Sequence, residues 1–193
     1  MTDPLPQAPG RTALLIIDMI NDMAFDEGDE LLAAVEAMTG TIATMRDQAT
    51  AARVPVIYVN DNFGQWHSDR DRVLNYVAST PGKATLERLR PRDQDYFVIK
   101  PQVSGFYATN LPVLLPRLGV SRLILTGVAA DICILFTAAD AHMREYSLWV
   151  PEDAVASDRS EHREWALGIV KKSMGAEVRP TSEYSLEQWL AAG

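Results

Sequence analysis

Arg122-Leu-Ile-Leu-Thr126-Gly127-Val-Ala-Ala-Asp131-Ile-Cys133-Ile134 is the stretch that decides how this chain is read. Its first five residues are mostly apolar, as in a strand buried on both faces. Gly127 breaks the run, and an apolar helical pattern follows from about Asp131 to Glu145. The thiol of Cys133 therefore stands near a helix start, just past the C-terminal end of a strand. Free N–H groups and the helix dipole favour a thiolate there. Cys133 is the sole cysteine, so it forms no internal disulfide. Position alone suits a nucleophile and a buried core residue equally well.

The same alternation extends outward in both directions. Thr12–Ile17, Pro55–Val59, Tyr96–Ile99 and Ser147–Val150 read as further strands, and Glu177–Arg179 as a short last one. Helical patterns span Asp29–Arg53 with Asp29 as N-cap, then Arg70–Ala78, Leu111–Leu118, Glu161–Met174 and Tyr184–Leu190. Strands alternating with helices predict an α/β fold, a three-layer αβα sandwich around a mostly parallel sheet of six strands. In such sheets ligands bind beyond the C-terminal strand ends. Neither Gly-rich nucleotide fingerprint is present.

The chain has 193 residues, 47% of them hydrophobic, enough for one well-packed domain. Residues 1–10 are expected to form a loose leader and 11–193 the domain. A net charge of -8 argues against nucleic acid and anionic membranes as partners. No apolar run is long enough to span a bilayer, and the N-terminus lacks the pattern of a signal peptide. With a single cysteine, this points to the cytoplasm.

Asp18 closes the first strand, Asn60 and Asp61 the second, and Lys100 the third. An acid, a base and a thiol thus converge on one rim. A carboxylate can take the thiol's proton, and an ammonium can stabilise the resulting charge. Each also has a plain alternative: Asp18 as a turn cap, Lys100 lying along the surface. His142 falls on the opposite face of the Cys133 helix, and His162 lies in a charged, solvated segment. His67 is at most a pocket-lining group. Phe25, Trp66, Phe106, Tyr107 and Phe136 lie in or near the rim segments and suit the walls of a small-molecule pocket. Ordinary packing explains Phe136 as readily. Asn21 and Ser104 offer polar contacts there, or local turn chemistry. Residues 60–82 are the expected specificity loop.

The segments Leu14-Leu-Ile-Ile-Asp18-Met-Ile-Asn-Asp22-Met-Ala-Phe25, Lys100 and Thr126-Gly-Val-Ala-Ala-Asp-Ile-Cys133 together resemble the isochorismatase-like cysteine hydrolases, over about 11–180. The resemblance implies a Rossmann-like sheet of order 3-2-1-4-5-6 and a catalytic triad of Asp18, Lys100 and Cys133. It also implies a cis peptide between Val128 and Ala129, and an oxyanion hole formed by the N–H groups of Ala129 and Cys133. That sheet order puts the Lys100 strand about 10 Å from the Asp18 strand, a gap the lysine must bridge. Nicotinamidase-type members hold a metal on an Asp-x-His pair after the second strand. Here the stretch is Asp61-Asn62-Phe63, and phenylalanine cannot ligate, so no metal and no cofactor are expected.

Read with these residues, the resemblance implies a metal-independent cysteine hydrolase that cleaves a C–N bond of a small amide or carbamoyl compound through a thioester. One alternative is an isochorismatase-type vinyl ether hydrolase using Asp18 as acid. Another is a non-catalytic member that binds a small molecule. The family resemblance also implies a homo-oligomer, with Trp149 and Trp165 suited either to an assembly surface or to the core.

Overall fold

The computed structural model describes residues 11–24, 28–66 and 69–192. The leader, Phe25 and His67 lie outside the described residues. The strands are β1 (Arg11–Ile17), β2 (Val56–Asp61), β3 (Tyr96–Lys100), β4 (Val120–Val128), β5 (Ser147–Trp149) and β6 (Val155–Ala156). The helices are α1 (Gly28–Ala51), α2 (Arg70–Val77), α3 (Lys83–Leu89), α4 (Leu111–Arg117), α5 (Leu135–His142), α6 (Ser160–Met174) and α7 (Leu186–Ala191).

All pairings are parallel, in the order β3-β2-β1-β4-β5, and the sixth strand pairs with β4. Side chains alternate across the sheet, as the pleat requires. Leu14, Ile16, Val56, Tyr58 and Ile124 enter a core closed by residues of α1, α2, α3 and α7. Leu15, Ile17, Ile57, Val59 and Leu125 enter a second core closed by α4, α5 and α6. Burial on both faces explains why these strands read as continuous apolar runs.

Three sequence expectations change. The anticipated last strand at 177–179 is reduced to a single bridge, Trp149 to Glu177, outside β5. The sixth strand is instead Val155–Ala156, which continues alongside β4 after a break following β5. Asp29 is not an N-cap, because α1 already includes Gly28. Of the two tryptophans, Trp149 is fully buried between Tyr184 and Trp189, whereas Trp165 is exposed. Among the described residues, no helix is long and apolar enough to cross a membrane.

Gly127 fixes the central pair of strands at their functional end. It pairs with Ile17 and has φ +115, a conformation that L side chains rarely adopt. A Cβ there would meet the Ile17 carbonyl oxygen at 1.9 Å. Gly127→Ala is therefore expected to destabilise the fold by about 3 kcal/mol or more. Urea denaturation would read this as a lower midpoint, and an unchanged midpoint would contradict it.

Candidate active site

The first strand ends at Ile17, and Asp18 follows with φ +52, a left-handed conformation that aspartate tolerates better than most residues. Its N–H donates to the Val59 carbonyl at 2.9 Å, and its Oδ1 accepts the Asp61 N–H at 2.8 Å. The Asn60 amide clamps Ile20: its Oδ1 accepts the Ile20 N–H at 3.2 Å and its Nδ2 donates to the Ile20 carbonyl at 2.6 Å. The chain leaving β1 is thus tied to the end of β2.

Lys100 is the last residue of β3 and pairs in register with Asp61. Its side chain crosses the end of β2, so that Nζ lies 2.8 Å from Asp18 Oδ2 and 3.3 Å from Cys133 Sγ. The lysine therefore spans the two-strand gap anticipated from the sheet order. Lys100 and Asp18 are both buried, with side chains 2% and 6% exposed. Cys133 lies in Ala130–Ile134, which winds as a single π-helical turn rather than as the start of one long α-helix. Such wide turns are frequent at functional sites. The Val128–Ala129 peptide just before it is cis.

Burial is the largest influence on Asp18 and raises its carboxyl. The Lys100 charge and hydrogen bonds from Cys133, Lys100 and the Asp61 N–H oppose this rise without cancelling it. For Cys133, burial and then the Asp18 charge push the thiol up to about 12, against the pull of Lys100. Burial alone would lower Lys100, but the charges of Asp18 and Cys133 outweigh it and raise the ammonium. The resting sulfur is thus a neutral thiol, touched by the Lys100 ammonium. The thiolate favoured by the helix-terminus reasoning is outweighed by burial and a neighbouring carboxylate.

These three side chains line a cavity of about 570 Å³ at the C-terminal strand ends. Asn21 and Asp61 also line it, as do Val128 and Ala129. Both polar side chains are also engaged locally: Asn21 Oδ1 accepts the Met23 N–H and Asp61 Oδ2 the Phe63 N–H. The other sequence-nominated pocket residues within the described chain lie elsewhere. Trp66, Tyr107 and Phe136 are exposed and do not line the cavity. Phe106 is buried beneath Tyr146, and Ser104 donates to Asp140, because the chain after Val103 turns towards α5. In their place the cavity is walled by Asp22, Phe63, Tyr76, Val103 and Ile132. Asp22 accepts the Tyr76 hydroxyl at 2.7 Å across 54 residues of chain. The expected specificity loop does contribute, through Phe63 and Tyr76, whose rings pack 5.6 Å apart.

Among the described residues, the donor set does not fit a nicotinamidase-type metal. Phe63 stands at the ligand position and is committed to Tyr76. Among the described residues, the one group of potential ligands close enough to share an ion is Asp131, Asp158 and His162, which includes none of Asp18, Lys100 and Cys133. His162 is not simply solvated: its Nδ1 lies 2.8 Å from Asp158 Oδ1, and its ring packs on Trp165.

Comparison with known proteins bears on the family and the fold. The model of the isochorismatase domain matches residues 12–183. YaaI of Bacillus subtilis (strain 168), an uncharacterized isochorismatase family protein, is 40% identical over 176 residues, covering 91% of this chain and 97% of YaaI. The ureidoacrylate amidohydrolase RutB of Agrobacterium fabrum is 28% identical over 179 residues, covering 79% of this chain and 78% of RutB. Among solved structures, the N-carbamoylsarcosine amidase of Thermoplasma acidophilum superposes with a TM-score of 0.68 at 28% identity, over 91% of this chain and 99% of that one. With its domain matched nearly end to end on the expected parallel sheet, the chain belongs to the isochorismatase family and is a hydrolase.

Proposed function

We propose that this hydrolase cleaves the C–N bond of a small amide or carbamoyl compound, using Cys133 as nucleophile and no metal. The observation that carries the reading is the contact of one buried lysine with both a carboxylate and a thiol, at 2.8 and 3.3 Å. A vinyl ether hydrolysis needs an acid but has no use for a thiol so placed. Two relatives in the comparison, RutB and the N-carbamoylsarcosine amidase, carry amidase names, which adds weight to C–N chemistry.

The steps follow from proton positions. Asp18 takes the proton of Cys133, and Lys100 stabilises the thiolate as it forms. Sulfur bonds to the substrate carbonyl carbon, and the oxyanion is held by the N–H groups of Ala129 and Cys133. Asp18 returns the proton to nitrogen, the C–N bond breaks and the amine or ammonia leaves. Asp18 then takes a proton from water, whose oxygen attacks the thioester carbon. The S–C bond breaks, and the proton passes to sulfur to restore the thiol.

A second reading has one observation in its favour. The raised Asp18 carboxyl is what a general acid for vinyl ether cleavage needs, with Cys133 a bystander. Cys133→Ala separates the two. Ammonia release from a panel of small amides, ureas and carbamoyl compounds is expected to fall by about 10³-fold or more in this variant. Full activity in Cys133→Ala would overturn the nucleophile assignment.

Asp18 must be ionised to accept the thiol proton. kcat/KM is therefore expected to rise with pH through a titration above that of an ordinary aspartate, about 3.9. A profile flat across the carboxylate range would contradict the base role. Asp18→Asn removes a charge that raises the thiol and leaves Lys100 beside it. Iodoacetamide should then label Cys133 faster at neutral pH than in the wild type. Turnover should fall by roughly 10²–10⁴-fold. Slower labelling would contradict the raising effect of the Asp18 charge on the thiol, and retained turnover would contradict the base role of Asp18.

A further inference from the structure

The cavity that holds Cys133 is lined by three carboxyl side chains, Asp18, Asp22 and Asp61, and one cation, Lys100. Lys100 is already paired with Asp18. Among the described residues, neither Asp22 nor Asp61 has an ion-pair partner, and no arginine or histidine lines the cavity. The geometry points to a charge-selective site: the pocket takes amides whose non-reacting end carries an ammonium or similar cationic N–H donor, and rejects those ending in a carboxylate. This inference rests on the amidase reading and names its substrate class.

Asp22 is the stronger determinant. It is buried, with one oxygen accepting the Ala24 N–H and the other the Tyr76 hydroxyl. A carboxylate has about four acceptor sites, so capacity remains for a ligand N–H. The tyrosine fixes the carboxylate at the wall without neutralising it. Asp61 is held in the same way by the Phe63 N–H, while its own N–H serves Asp18. Val103, Ile132 and Phe63 also line the cavity and supply apolar surface for a short aliphatic or planar stem. A substrate carboxylate would face two carboxylates with no free cation, in a site where charge interactions are stronger than in bulk water.

Three amides of matched length test this: γ-aminobutyramide, uncharged pentanamide and glutaramate. Their affinities for Cys133→Ala, measured by calorimetry, read selection without turnover. The cationic amide is expected to bind about tenfold more tightly than pentanamide, and glutaramate about tenfold more weakly. Asp22→Asn in the same background should shrink the ratio between cationic and uncharged amides, and raised salt should shrink it too. Equal affinities, no detectable binding of any of the three, or preference for glutaramate would overturn the proposal. Ammonia release by the wild type is measured separately. The predicted order of affinities without ammonia release would fault the amidase reading and leave the charge selection standing.

Discussion

The buried contact between Asp18 and Lys100 is the interaction on which the rest of the site depends. Moving two such charges out of water costs several kcal/mol each, and only close pairing with further hydrogen bonds offsets that. Both conditions are met here. The ion pair is 2.8 Å long, and Asp18 also accepts the Asp61 N–H. Lys100 reaches Asp18 because β3, β2 and β1 are in register, with Asp61 beside Lys100 and the Asp18 N–H on Val59. The sheet therefore fixes the pair, and the pair fixes the electrostatic setting of the thiol.

That setting is a poised neutral one. Burial and Asp18 keep the sulfur protonated, while Lys100 touches it from the other side. Removing the proton to Asp18 would leave a thiolate in contact with an ammonium, so charge shifts within a preorganised triangle rather than appearing in bare apolar surroundings. On the proposed mechanism a short proton transfer reaches the reactive state, so the thiol needs no depressed acidity at rest.

Much of this was legible in the sequence, for identifiable reasons. Strands buried on both faces write continuous apolar runs, so β1, β2 and β4 were readable, and strand ends in α/β sheets locate the ligand side. That rule brought Asp18, Lys100 and Cys133 to one rim, and the family resemblance joined them as a triad. Seven-residue α3 and two-residue β6 are too short for periodicity to register. The loop after β3 defeated the pocket reading. Its residues adjoin Lys100 in sequence, yet Ser104 and Phe106 turn inward to Asp140 and Tyr146. The Asp22–Tyr76 contact carried no local signal, since it joins the loop after β1 to α2. Cavity walls built from distant segments are set by tertiary packing, which short-range pattern does not encode.

The covalent role of Cys133 is the central claim, and trapping the intermediate tests it most directly. Wild-type protein is mixed with an amide that it hydrolyses, quenched in acid during turnover, digested and analysed by mass spectrometry. The expected result is a peptide containing Cys133 heavier by the acyl group of the substrate, with the adduct lost when the reaction is left to finish. Sustained turnover with Cys133 unmodified at every time point, or with the acyl group on another residue, would contradict the claim.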